Sequence, residues 1–320
     1  MKAAVLHQLG ASPRFEEFAE PVAGENEIVL TVRAASLKAV DRQLAAGTHF
    51  ASPREFPIVC GTDGVGVASD GARVFFGGSR RPFGTMAERT IAPAGFCFPV
   101  PDSLDDATAA ALPNPGVSAF LTLSHRAKLA RGENILILGA TGVTGTLAVQ
   151  IAKLLGAGRV IAAGRNPESL EKLKKLGADS ILNLKQPDED LKIAFAREAG
   201  EAGIQVVIDY LWGKPAELLF AALTRPEFAV AKTETRFVQV GESAGAAISL
   251  PAAVLRSTAL TISGTAGIPP MELLVSGMKQ VFDWAARGTL RIETESVPLR
   301  EVESAWQRTD SSARRLVFIP

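Results

Sequence analysis

Cysteine is scarce: Cys60 and Cys97 are the only two in 320 residues. That is too few for a disulfide scaffold or a four-thiolate zinc site, although the count leaves open one disulfide or a mixed-ligand metal site. A reducing, cytoplasmic compartment is the expectation. Charge of one sign is lacking as well, because 34 Lys and Arg balance 34 Asp and Glu. Without a basic field, functions on nucleic acid or at a membrane surface are not expected. No uninterrupted apolar run reaches the roughly 18 residues of a membrane span. The N-terminus offers Lys2 and only the short run Ala3 to Leu6 before His7 and Gln8, so neither a signal peptide nor a transmembrane helix is expected. Internal repeats and low-complexity tracts are absent too. What the chain does have is 47% hydrophobic and 21% charged residues, the balance of a globular protein. At about 150 residues per domain, its length suggests two domains.

The first third carries short strand-like runs at Ala3 to Leu6, Glu27 to Ala34, Val65 to Ala68, Val74 to Phe76 and Glu88 to Ile91, punctuated by Gly and Pro. This pattern reads as an irregular β-barrel or sandwich. Near Asp105 the texture turns helical, and strand then alternates with helix as in a parallel sheet. Strands are expected at Asn134 to Leu138, Val160 to Ala163, Ser180 to Leu184, Val206 to Asp209 and Phe237 to Val240, with Leu260 to Ser263 as an edge strand. Helices are expected from Val143 to Leu155, after Pro167, and from Pro270 to Arg287. The final segment has strand character at both ends of a short helix and is expected to return to the first domain.

The segment ILILGATGVTGTLAVQIAKLLGA joins a buried strand to a helix through Gly139, Gly142 and Gly145. Glycines at this spacing allow a tight turn, a close backbone approach to a pyrophosphate, and tight packing of the helix on the sheet. The turn Gly139, Ala140, Thr141, Gly142, Val143, Thr144, Gly145 is therefore a candidate dinucleotide site. At the end of the second strand, where an NAD site would place a carboxylate, stand Gly164, Arg165 and Asn166. A guanidinium there suits an adenosine 2′-phosphate, hence NADPH. A different reading of the chain, through the Tyr-x-x-x-Lys spacing of Tyr210 and Lys214, is set aside: Tyr210 follows directly on a strand and Gly213 interrupts any helix between the two.

Several segments together resemble the medium-chain dehydrogenase/reductase superfamily, and within it the zinc-free quinone oxidoreductase branch: MKAAVLHQLG, AASLKAVDRQLAAG, PIVCGTDGVGVA, FGTMAERTIAP, PDSLDDATAAALPNPGVSAFLTL, the glycine turn and KLGADSILNL. The resemblance implies an α/β architecture. A GroES-like β-barrel catalytic domain over residues 1–116, with a C-terminal return over 256–320, would accompany a Rossmann doubly wound parallel sheet over 117–255, with a cleft where they meet. It implies a small-molecule acceptor and a homodimer. It also places the nicotinamide ring near Ser118, Tyr210, Leu211 and Gly241.

Departures from the zinc-dependent members are informative. Those members place a Cys where this chain has Lys38 and a His where it has Thr62, and neither an ammonium nor a hydroxyl replaces such ligands. No metal is therefore expected, and without a Lewis acid the favoured direction is reduction of an already electrophilic quinone or conjugated carbonyl. The quinone reductases themselves often carry Tyr where this chain has Gln43. Lys38, Asp41, Gln43, Thr62 and Asp63 are the polar candidates, with His49 a lesser one. Lys38 or Thr62 is expected to stabilise the oxyanion on the acceptor, whereas Asp41 and Asp63 suit turn-capping equally well. His7 and His125 have no partner pattern. Specificity is expected in the loops Leu44 to Pro57 and Ile268 to Leu274. The leading expectation is an NADPH-dependent reductase of quinones or enones, and the competing one is a nucleotide-binding regulatory or structural protein without turnover.

Overall fold

The structure, a computed structural model, describes residues 1–224, 233–265, 267, 269–308 and 314–320. Ile268, at the start of one expected specificity loop, lies outside them. The chain divides into two compact units, Met1–Asn114 with Met278–Pro320, and Pro115–Gly277.

The first unit opens with β1 (Lys2–Leu6), β2 (Arg14–Glu17), β3 (Glu27–Ser36), helix α1 (Ala39–Ala46), β4 (Ile58–Val59), β5 (Asp63–Ala68), β6 (Arg73–Gly77), β7 (Arg89–Pro93), β8 (Cys97–Pro99) and α2 (Asp106–Ala111). In β3 the side chains of Leu30, Val32 and Ala34 are buried while Thr31 and Arg33 are exposed, the two-residue period of a strand with one wet face. The strand-rich stretch ends where the Asp105 carboxylate accepts the Thr108 amide at 2.8 Å and caps α2. Strands β2, β4 and β8 are only two to four residues long and carry no clear alternation, which is why sequence pattern alone does not announce them.

Helix α3 (Pro113–Leu121) leads into the second unit, which runs β9 (Asn134–Leu138), α4 (Val143–Leu154), β10 (Arg159–Gly164), α5 (Pro167–Lys175), β11 (Ser180–Asn183), α6 (Asp188–Ala199), β12 (Val206–Asp209), α7 (Gly213–Leu223), β13 (Glu234–Gln239), α8 (Ala252–Ser257), β14 (Ala259–Gly264) and the first residues of α9 (Met271–Ala286), which from Met278 on belongs to the first unit. Its six strands lie in the order β11-β10-β9-β12-β13-β14, and every pairing is parallel. Chain order reverses between β9 and β12, the switch point at which doubly wound sheets bind dinucleotides. Leu136, Leu138, Ile161, Phe195, Phe220 and Phe237 form part of the core against this sheet.

The chain closes with β15 (Thr294–Pro298), α10 (Val302–Trp306) and β16 (Arg315–Ile319). These strands join the first unit's seven-stranded sheet in the order β15-β16-β3-β5-β6-β8, with β7 on β3. Phe318 and Trp306 thereby share a core with Leu6, Leu37 and Met86. The return begins later than residue 256. Residues 256–277 belong to the second unit because β14 pairs with β13 from Glu234↔Ala259 to Gln239↔Gly264. The architecture is a Rossmann sheet accompanied by a GroES-like β domain. Among the described residues, no helix is long and apolar enough to cross a membrane.

Candidate functional site

Strand β9 delivers the chain to Gly139, whose φ of +83° lies in the left-handed region that favours glycine. The amides of Gly139 and Ala140 both donate to the Ala163 carbonyl at the end of β10, at 3.0 and 2.9 Å, which fixes the turn on the sheet. Gly145 sits in the first turn of α4, where a Cβ would collide with the Gly139 carbonyl oxygen. Gly142 is the N-cap of α4 and has no side chain to cap it, so the first-turn amides of Val143, Thr144 and Gly145 face outward, as anion binding requires. Thr141 packs against Gly164. Arg165 is exposed beyond the end of β10, and Asn166 Oδ1 accepts the Ser169 amide at 2.9 Å to cap α5.

Across the switch point, the loop after β12 lies on the glycine turn: a Cβ on Gly139 would stand 3.1 Å from Leu211 Cδ2 and 3.2 Å from Tyr210 Cβ. The fully buried Asp209 holds this loop. Its carboxylate accepts the Leu211 amide at 2.8 Å and the Trp212 amide at 3.1 Å, and its carbonyl accepts the amides of Val240 and Gly241. Burial pushes the Asp209 carboxyl up to about 6, against the pull of the Leu211 and Trp212 amides. Trp212 is held at φ 55° and ψ −157°, a region populated essentially by glycine and worth roughly 1–3 kcal/mol of strain. Lys214 lies in the first turn of α7, exposed and ion-paired to Asp188 at 2.8 Å. The Tyr-x-x-x-Lys spacing thus places no tyrosine and lysine one turn apart on a helix.

In the first unit, the structure brings Lys38, Asp41, Thr62 and Asp63 together. Lys38 is 3% exposed, and its ammonium donates to Asp63 Oδ1 at 2.8 Å and the Ser36 carbonyl at 2.9 Å, with Asp41 Oδ2 at 3.2 Å. Asp41 also accepts the Lys38 amide at 2.8 Å at the start of α1 and the Thr62 hydroxyl at 3.0 Å. Arg315 of β16 completes the cluster, donating from Nη1 to the Leu37 carbonyl at 3.0 Å and interacting with both carboxylates. Burial alone would depress the Lys38 ammonium, but Asp41 and Asp63 more than reverse this and hold it above the usual lysine range. From the sequence Lys38 is expected to polarise an acceptor carbonyl; in the structure its hydrogens are engaged by Asp63, Ser36 and Asp41 in a buried, charge-balanced group. The carboxylates of Asp41 and Asp63 are spent in the same way. Thr62 is half-buried, Gln43 is exposed on α1 and Ser118 is exposed on α3. His49 stacks on Phe50 at 4.3 Å and stands outside the cluster. Two residues of these networks, Arg315 and Asp209, escaped sequence reasoning. Nothing local marks Arg315, and Asp209 reads only as a strand end.

A family model described as zinc-binding dehydrogenase matches residues 143–285. Quinone oxidoreductase-like protein 2 of Bos taurus is 32% identical over 195 residues, which cover 61% of this chain and 52% of the relative. A probable NADPH-dependent quinone reductase of Emericella nidulans is 29% identical over 229 residues, covering 68% of this chain and 63% of the relative. The matches thus span 52% and 63% of the length of these curated relatives, less than two-thirds in both. A quinone oxidoreductase of Thermus thermophilus, solved alone and in complex with NADPH, superimposes over the whole of both chains with a TM-score of 0.81 at 29% identity. The fold and the glycine turn define a protein of the two-unit, barrel-plus-Rossmann class. In these matches the chain is similar to quinone oxidoreductases of the medium-chain dehydrogenase/reductase superfamily.

Two outcomes test these networks. Lys38→Met strands two buried carboxylates and should lower unfolding free energy in denaturant titrations by about 3–5 kcal/mol. Adding Asp63→Asn should return part of that loss, and a single variant within about 1 kcal/mol of wild type would show that the ion pairs hold nothing together. Asp209 gives a pH signature. Its folded-state value lies above the ordinary 3.8, so the folded protein keeps a proton that the unfolded chain has released. The stabilisation is complete below about pH 4 and is lost as pH rises through about 6. Asp209→Asn should therefore gain on wild type by about 2–3 kcal/mol between pH 4 and pH 7, and a constant offset across that range would refute the assignment.

Proposed function

We propose that this chain is an NADPH-dependent reductase that passes a hydride to a quinone or an α,β-unsaturated carbonyl without zinc. The observation that carries the reading is the glycine turn at the switch point of the parallel sheet, with Arg165, and no carboxylate, beyond the end of β10. The residues present fit the cofactor: the crowded Gly139–Gly145 approach and the outward amides of α4 suit a pyrophosphate, and Arg165 with Gly164 suits an adenosine 2′-phosphate. When bound, NADPH would supply the hydride. Tyr210, Leu211 and Gly241 lie on the other side of the switch, the nicotinamide side, with Ser118 a further contact by family resemblance. The names of the fungal relative and of the Thermus complex support this cofactor.

Zinc has no place in this reading because Lys38 and Thr62 stand where the ligands of zinc-dependent members would be. The Lys38 ammonium and the Arg315 guanidinium already balance the two carboxylates there, so a further cation would face uncompensated repulsion. With Lys38 engaged and the Thr62 hydroxyl donating its one hydrogen to Asp41, the exposed Gln43 amide remains as a donor for the acceptor oxygen, and water supplies the final proton. The same engagement of Lys38 favours a second reading, an NADPH-binding protein without turnover. Oxidation of NADPH across a panel of quinones and enones, with and without a chelator, separates the two. Turnover indifferent to chelation is expected; tight binding without any consumption would put the second reading first, and stoichiometric zinc with chelator-sensitive activity would overturn the zinc-free mechanism. In the same assay Arg165→Ala should weaken NADPH by roughly ten- to a hundredfold. NADH should be nearly unaffected, and equal wild-type affinities for the two cofactors would sink the assignment of Arg165.

Strand β14 is the last strand of its sheet, with Leu260 and Ile262 half-buried on it. An open apolar edge favours pairing with a second copy about a two-fold axis. We infer a homodimer that continues the sheet through β14. Light scattering at micromolar concentration should give twice the mass of the 33.7 kDa chain, and a monomer would count against it.

A further inference from the structure

Tyr210 is the chain's single tyrosine. Its hydroxyl oxygen is buried and has no hydrogen-bond partner among the described residues, a condition that costs roughly 1–3 kcal/mol and that folded proteins seldom tolerate. The backbone around it is pinned on every side. Its amide donates to the Leu138 carbonyl at 3.1 Å, bridging the ends of β12 and β9 at the switch point, and its carbonyl accepts the Ser243 hydroxyl at 3.1 Å. Asp209 holds the next two amides, and Trp212 closes the loop in a backbone conformation that costs energy to maintain. The backbone from which the phenol projects is thus fixed beside the glycine turn.

Two independent costs, an unpaired buried hydroxyl and a strained backbone, meet in a loop that lies on the glycine turn. Strain and unsatisfied polar groups concentrate at ligand clamps, where the fold holds a donor ready for a group it does not itself contain. The sheet order says which part of the ligand lies here. A dinucleotide spans the switch point, with its adenosine half over β9-β10-β11, where Arg165 stands, and its other half over β12-β13-β14, where Tyr210 stands.

We propose that the Tyr210 hydroxyl donates a hydrogen bond to an oxygen of the nicotinamide half of the bound dinucleotide, so that this phenol finds its partner only in the complex. The assignment rests on the dinucleotide reading above and deepens it: the residue would govern how the nicotinamide half is held, independently of the adenosine half.

The test uses the full chain, Tyr210→Phe, and two probes, NADPH and adenosine 2′,5′-bisphosphate, which carries only the adenosine half. Wild type should bind both by calorimetry. The variant should bind NADPH roughly three- to thirtyfold more weakly and the bisphosphate as wild type does. Without ligand, the variant's melting temperature should be equal to or above that of wild type, because a buried unpaired hydroxyl has been removed, and its thermal shift on adding NADPH should be smaller. Unchanged NADPH affinity would overturn the role of Tyr210 while leaving the dinucleotide site intact. Equal weakening of both probes would also overturn it, because the loss would then lie in the shared glycine turn. A wild type that binds neither probe would remove the dinucleotide reading and this inference together.

Discussion

A lysine ammonium buried to 3% exposure cannot stand alone, and the first unit is assembled around its neutralisation. Lys38 at the head of α1 requires Asp63 from β5 and Asp41 from its own helix, and the balance of charge brings in Arg315 from the far end of the chain. The cluster ties the first 63 residues to the last six. Hydrophobic burial follows the same path, since β16 carries Phe318 into the core that holds Leu6 and Leu37.

The second unit is organised by a different constraint. Six parallel strands end at one edge of the sheet, so the turns after β9, β10 and β12 converge without any side chain having to reach far. Backbone groups do most of the positioning. The Gly139 and Ala140 amides are anchored on Ala163, the amides of α4 are left outward, and the loop after β12 is fastened by a single carboxylate. Asp209 carries a cost for this, because burial raises its pKa towards neutrality. The loop it holds in turn stores backbone strain at Trp212. Stability is given up at the edge where ligand binding would recover it.

Lys38, Asp41 and Asp63 of the first unit are matched to one another and buried, whereas in the second Arg165 is exposed and the Tyr210 hydroxyl has no hydrogen-bond partner among the described residues. Lys38, Asp41 and Asp63, conspicuous by residue type, direct their charges at one another.

Local pattern was enough to reveal the Rossmann sheet, because its strands are nearly continuous apolar runs and its helices show a clear 3.6-residue period. Asn134–Leu138 and Val206–Asp209 were delimited to the residue, and the glycine turn was evident from spacing alone. The short strands β2, β4 and β8 were not visible, since two to four residues carry no period and form only because longer neighbours pair with them. Among the site residues, the glycines and Arg165 could be read because their roles depend on backbone and position in a local motif. The role of Lys38 could not. Whether an ammonium is free or engaged depends on Asp63, 25 residues away, and Arg315, 277 residues away. The unpaired hydroxyl of Tyr210 is likewise a property of the packed chain, because hydrogen-bond satisfaction is decided by which groups the fold brings within 3.5 Å of one another and not by their order along it.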